Sequence, residues 1–250
     1  IDIDAFIHNL GVAKKLTGTK VMAVVKGNAH GHGAVKASLA LEAHGADAFA
    51  VACMSEAIEL REAGIQAPIL VLGWTPAECA RQLADYGIAQ SVMDEDYALE
   101  LNEAAAAAGK VVDIHAKLDT GMSRTGIFAQ ENPAEAAQIV SRIANLPNLN
   151  IKGIFTHYAA ADMPEKDDFT AWQLSNYKAV LRALETLGFD KPVVHHTGNS
   201  ACILNHPETY FDMVRMGVMM YGLYPDGVFP KDGPLKQALT LKARVAQVKQ

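Results

Sequence analysis

Short apolar runs alternate along this chain with longer stretches in which apolar residues recur at helical spacing. The runs at residues 21–25, 47–53, 68–72, 88–92, 110–118, 149–157, 192–196 and 212–216 read as strands buried on both faces. Between them, residues 34–44, 55–64, 76–85, 94–108, 133–145 and 166–187 carry the periodicity of helices, and a short helix opens at Asn199. Residues 1–4 alternate apolar and acidic side chains and predict a lead-in strand before a helix over 5–16. Eight strands alternating with helices, without a break in composition, predict a (β/α)8 barrel over residues 1–235. An open doubly wound sheet is the other fold this alternation allows. Residues 224–233 form a Pro/Gly/Asp-rich connector, and 238–248 look like one more strand. Residues 236–250 are therefore expected to begin a further β-domain or to be a linker stub of one.

Half of the 250 residues are hydrophobic, which supplies a core for one domain of this size. Aspartate and glutamate outnumber lysine and arginine 28 to 22, and no long basic run appears, which argues against nucleic acid as a partner. The three cysteines, Cys53, Cys79 and Cys202, are scattered and odd in number, as suits a reducing cytoplasm. No apolar stretch approaches the ~18 residues of a membrane span. The chain opens IDIDAFIHN with no initiator methionine, so a targeting or membrane segment upstream of residue 1 stays open.

Candidate chemistry falls at the C-terminal ends of the predicted strands, where barrels of this kind carry their reactive groups. Lys26 ends the first strand and runs into Gly27, Gly31 and Gly33. A lysine in that setting is either a strand-end surface charge or a Schiff-base amine beside a backbone that approaches a ligand closely. Lys117, Asp119 and Arg124 follow the fifth strand in KLDTGMSRTG, and His157 ends the sixth. HHTGNSA at 195–201 places His196, Asn199 and Ser200 at a helix start, either a simple N-cap or an anion site. Arg215 is a lone cation in the apolar eighth strand and needs buried acceptors, and Gly217 and Val218 offer two more backbone N–H groups. His8, His44, His115 and His206 are expected to be structural. No zinc-ligand spacing, dinucleotide fingerprint or P-loop lysine motif appears.

Taken in order, VMAVVKGNAHGHG, AVACMSEAIELREAGIQAPILVLG, KLDTGMSRTG, GIFTHYA, HHTGNSA and DMVRMGVMMYGL resemble the barrel domain of the alanine racemase family along nearly the whole chain. The resemblance implies pyridoxal 5′-phosphate held on Lys26, with Lys26 as one of two catalytic bases. Arg124 is implied to meet the cofactor's phenolic oxygen and the substrate carboxylate, and Arg215 the pyridine nitrogen. Ser200, Gly217 and Val218 are implied phosphate ligands, His157 and His196 supports of Arg215, and His30, Asn199 and Tyr221 further cofactor contacts. Lys117 corresponds to a lysine that is carbamylated in many relatives.

Two departures stand out. The family usually reads VKADAYGHG or VKANAYGHG, with a tyrosine reaching the phosphate, where this chain has Gly27, Asn28 and His30. A neutral imidazole there predicts weaker phosphate anchoring. The family's other base is a tyrosine of a C-terminal β-domain, contributed across a homodimer, and no tyrosine here matches it, so this stretch alone is expected to turn over poorly. The leading reading is an alanine racemase acting for cell-wall D-alanine. The alternatives are a serine racemase of the vancomycin-resistance type and a barrel-only protein that binds or carries the cofactor.

Overall fold

The computed structural model describes residues 1–225 and 233–249. Its strands are β1 (Lys20–Val24), β2 (Ala48–Val51), β3 (Ile69–Val71), β4 (Ile88–Val92), β5 (Val112–Asp119), β6 (Ile127–Phe128), β7 (Leu149–Phe155), β8 (Val194–His196) and β9 (Met213–Met216). All pair in parallel. The order β4-β3-β2-β1-β9-β8-β7-β5 is closed by pairing of β4 with β5. The β1–β9 and β4–β5 ladders leave no open edge in the ring, so the structure is the closed barrel and not the doubly wound sheet. The two-residue β6 pairs with β5 alone and was too short to show in the sequence pattern.

The helix α1 (Ile3–Thr17) precedes β1, and α3 (Ala34–Ala43), α4 (Met54–Glu62), α5 (Ala80–Asp85), α6 (Glu95–Ala108), α7 (Pro133–Ala144), α8 (Asp167–Thr186) and α9 (Ser200–Asn205) follow strands; α2 (Lys26–His30) is a single helical turn. The expected lead-in strand is absent. Asp2 instead caps α1, its side chain accepting from Ala5 N–H, and a four-residue alternation is too short to hold a strand against a good N-cap. The strand expected over 238–248 is also not formed. Ala238 is bonded to Asp2 and Tyr221, but the following residues to 249 are exposed and have no ladder partner among the described residues. Residues 226–232 of the connector lie outside the described residues.

Alternation along each strand sorts the barrel into two shells. In β5, Val112, Ile114, Ala116 and Leu118 face the helices and join the main core. The intervening residues face inward, and the barrel interior is divided. Met22, Val24, Ala48, Ala50, Leu70, Ala89 and Met213 make one apolar side. His115, Lys117, Phe155, His196 and Arg215 make the other, all buried.

Candidate active site

A cavity of about 620 Å3 opens at the C-terminal ends of the strands. Lys26, His30, Lys117, Arg124, His157, Asn199, Ser200, Arg215, Gly217 and Val218 line it. His196 and Tyr221 are not on its wall: His196 lies beneath Arg215, and Tyr221 sits behind His30.

Lys26 leaves β1 where the backbone reverses hand. Gly27, Asn28, Ala29 and His30 have φ of 64°, 52°, 53° and 51°, one turn of left-handed backbone. Glycine adopts this freely and asparagine tolerates it, but Ala29 and His30 pay roughly 1–2 kcal/mol each. Offsetting bonds run from Ala29 N–H to the Val25 carbonyl at 2.7 Å and from Ala34 N–H to Asn28 Oδ1 at 2.7 Å. Glu56 Oε1 accepts from Gly27 N–H at 2.6 Å. The turn directs the Lys26 side chain into the cavity.

His30 does not stand as a free donor. The Tyr221 hydroxyl lies 3.1 Å from the Val24 carbonyl, to which it can only donate, so across the 3.0 Å contact with His30 it accepts from Nδ1–H. The neutral ring then presents only the Nε2 lone pair elsewhere. Burial, then the nearby Lys26, holds its pKa below the ordinary histidine value. The weaker phosphate anchoring expected of an imidazole at this position gains a second reason, since its one N–H is already bonded to Tyr221.

The opposite wall centres on Arg215, whose chain is buried among acceptors. Nη1 donates to the His196 carbonyl at 2.5 Å and to His196 Nδ1 at 3.1 Å. Nη2 reaches the carbonyls of Thr156 at 2.6 Å and Thr197 at 3.1 Å, and His157 Nδ1 at 3.1 Å. Phe155 stacks on the His196 ring at 4.7 Å and lies 5.3 Å from the guanidinium. Burial lowers the Arg215 pKa to about 10, which still leaves it charged at neutral pH.

Because arginine only donates, its contacts fix the tautomers beyond it. His196 accepts at Nδ1, carries its proton on Nε2 and gives it to His115 Nδ1 at 2.8 Å. His115, expected to be structural, is thus the third member of this relay. Burial and Arg215 depress its pKa to about 4, and burial holds His157 and His196 well below the usual value. Two features of β7 admit the His115 ring. One extra residue, Lys152, interrupts the register between Ile114/Ile151 and His115/Gly153, and a side chain at Gly153 would overlap the imidazole.

Between the walls, Asp119 accepts from Gly121 and Ser123 N–H at 3.1 and 2.9 Å and folds the loop that carries Arg124. Among the described residues Arg124 has no hydrogen-bonding or ionic partner. Lys117 bonds Thr125, and burial, with Arg124 next in effect, lowers its pKa to about 8. Ser200 Oγ accepts from Gly217 N–H at 2.9 Å and Met219 N–H at 3.3 Å, while Asn199 caps α9 through Cys202 N–H. Phe155, Tyr158 and the exposed Trp74 also line the cavity and were missed in the sequence. Inward parity at the end of β7 was the available signal for Phe155.

These residues fit pyridoxal 5′-phosphate. Of the Arg215 donors, Nε–H alone has no protein acceptor among the described residues, and Arg215 lines the cavity, so one N–H remains for a ring nitrogen. No group of three His, Cys, Asp or Glu suited to a metal occurs among the described residues.

A family profile described as the alanine racemase N-terminal domain matches residues 1–225. The chain is 42% identical over its full length to alanine racemase of Clostridium perfringens, covering 64% of that protein, and 40% identical to that of Methanococcus maripaludis, covering 66%. Among solved structures, alanine racemase of Clostridium difficile 630 in complex with cycloserine matches 95% of this chain and 64% of its own, at 36% identity and TM-score 0.87. That of Bacillus anthracis with bound L-Ala-P matches 91% and 58%, at 33% identity and TM-score 0.83. The chain thus spans about two-thirds of the length of the curated relatives it matches. With a profile spanning nearly all its described barrel and relatives at this identity, the chain belongs to the alanine racemase family and comprises that family's N-terminal barrel domain.

Proposed function

We propose that the protein is a pyridoxal 5′-phosphate-dependent racemase that interconverts L- and D-alanine, supplying D-alanine for cell-wall synthesis. The observation that carries this reading is one cavity with a lysine amine on one wall and, on the other, an arginine that keeps a single N–H free. The cofactor, when bound, supplies an electron sink for negative charge at the substrate Cα. Lys26 holds the cofactor covalently and moves the proton on one face of Cα. Arg215, always protonated and a donor only, holds the ring nitrogen without giving it a proton, which keeps the sink weak and favours return of the Cα proton over decarboxylation or transamination. Arg124 pairs with the substrate carboxylate. Ser200, through its hydroxyl proton, and the Val218 N–H take the phosphate, joined by the Gly217 N–H when it leaves Ser200 Oγ, flanked by His30 and Asn199, while Tyr221 holds His30, and His157 and His196 hold Arg215.

Lys117 is proposed to react with carbon dioxide: its neutral amine adds at carbon, loses a proton and becomes a carbamate anion that orients Arg124. A pKa near 8 supports this, because part of the amine is neutral at physiological pH. The second base comes from outside this chain, across a homodimer. The free cysteines Cys53, Cys79 and Cys202 suit a cytoplasmic setting. No helix among the described residues is long and apolar enough to cross a membrane.

The experiment is conversion of L-alanine to D-alanine, beside L-serine, by the full-length protein with cofactor in excess. Interconversion with alanine ahead of serine is expected. Serine ahead would reassign the substrate, and no Cα proton exchange with either would leave a carrier and overturn the reading.

A further inference from the structure

The left-handed turn after Lys26 is tied to the rest of the barrel by two side-chain bonds, one from the His30 ring to Tyr221 at its far end and one to a carboxylate at its start. Within the turn, the bonds of Ala29, Gly31, His32, Gly33 and Ala34 all run to residues between 25 and 30, so they move with it. Glu56 differs. It lies in the first turn of α4, half-buried, and its two oxygens serve two elements. Oε2 reaches back over the helix start to Ala52 N–H at 2.7 Å, much as in a capping box. Oε1 crosses to the end of β1 and accepts from Gly27 N–H at 2.6 Å and Asn28 N–H at 3.3 Å. Those amides belong to the first two residues after Lys26, where the backbone changes hand.

We propose that Glu56 is a positioning residue for Lys26: its carboxylate pins the left-handed turn to the β2–α4 junction and so fixes where the lysine amine enters the cavity. This rests on Lys26 being the cofactor-carrying lysine. An ionised carboxylate is required because all three contacts are donors, and an acceptor-only group meets them at once. Glutamine cannot. Turned to keep the Ala52 contact, it sets an NH2 against the Gly27 and Asn28 N–H groups; turned the other way, it loses the helix cap. The turn is strained at Ala29 and His30, so without its tether it relaxes and carries the amine with it.

The test uses the full-length protein with cofactor removed and added back, reading the rate of covalent capture by absorbance, together with hydrogen exchange of the Gly27 and Asn28 amides. Glu56→Gln is expected to slow capture about ten- to a hundredfold, the scale on which a misplacement near 1 Å acts. It should also speed exchange at Gly27 and Asn28, while exposed Glu59→Gln changes neither. A merely structural Glu56 would lower the melting temperature and leave capture unchanged well below it; that result overturns the proposal. Should Glu56→Gln fail to fold, Glu56→Asp keeps the charge on a shorter arm and is expected to show the same two changes, and wild-type capture by it would be equally fatal. Lys26→Arg separates the two claims. If it still captures cofactor, the Lys26 assignment falls and this inference with it. If it loses capture while Glu56→Gln behaves as wild type, only the role of Glu56 falls.

Discussion

The Lys26 wall of the cavity is held by backbone bonds within a few residues, one carboxylate and the His30–Tyr221 bond, whereas the Arg215 wall is held by buried side chains from β5, β8 and β9 and by groups just beyond β7. The first wall is largely exposed, and strained at Ala29 and His30. The second is desolvated, its tautomers fixed in sequence from Arg215 through His196 to His115. Chemistry that needs one directed amine and one unchanging donor finds each in the architecture that suits it. A saturated polar cluster in the barrel interior permits almost no motion.

The sharpest way to break this contrast is on the buried wall. Arg215→Met leaves three carbonyls and two imidazole nitrogens without a donor, and unsatisfied buried groups cost about 1–3 kcal/mol each. A loss of stability on the order of 3–5 kcal/mol is expected in denaturant melts. By contrast Lys26→Ala, at an exposed position, should change stability by less than about 0.5 kcal/mol.

Acid should act on the same wall. His115 protonates at about pH 4 in the folded protein, against an ordinary value of 6.5, so the folded state binds fewer protons than the unfolded chain between these limits. Stability is therefore full above pH about 6.5 and falls as pH drops towards about 4, by up to ~1.4 kcal/mol per pH unit for that histidine. His157 and His196 add to the slope in the same direction. Melts at stepped pH should show His115→Phe with a shallower decline than wild type; equal slopes would mean that its charge state is not coupled to folding.

A smaller effect is expected from Gly153→Ala, because the new methyl meets the His115 ring. Overpacking of this kind costs roughly 1–3 kcal/mol. Displacing the ring should also loosen His196, read as a shifted imidazole signal by NMR. On the exposed wall, His30→Tyr supplies a hydroxyl donor where the imidazole donor is bound to Tyr221. Cofactor binding should tighten by about 0.5–1.5 kcal/mol. Unchanged affinity would mean that His30 does not face the phosphate.

The same contrast explains what could be read from sequence. The eight ring strands were legible because burial on both faces makes continuous apolar runs, and Lys26 announced itself through adjacent glycines. Arg215 was legible as a charge with no reason to sit in an apolar strand. His115 was not, since its partner His196 is 81 residues away and an isolated inward histidine resembles any buried one. Glu56 reads as an ordinary acid in a first helical turn, because its bond to Gly27 spans 29 residues. Periodicity also misled at the start, where the alternation in residues 1–4 yielded to the Asp2 cap, while that in 238–248 has no ladder partner among the described residues.

The central claim concerns which lysine of the cavity carries the cofactor. Lys117, with its pKa near 8, has the partly neutral amine one would ask of a nucleophile, but it is 6% exposed, bonded to Thr125 and flanked by Arg124. Lys26 stands at the cavity on a turn built to aim it. Borohydride reduction of the full-length protein loaded with pyridoxal 5′-phosphate, followed by peptide mapping, decides between them. The account predicts a single pyridoxyl group on Lys26; a pyridoxyl group on Lys117 would contradict it.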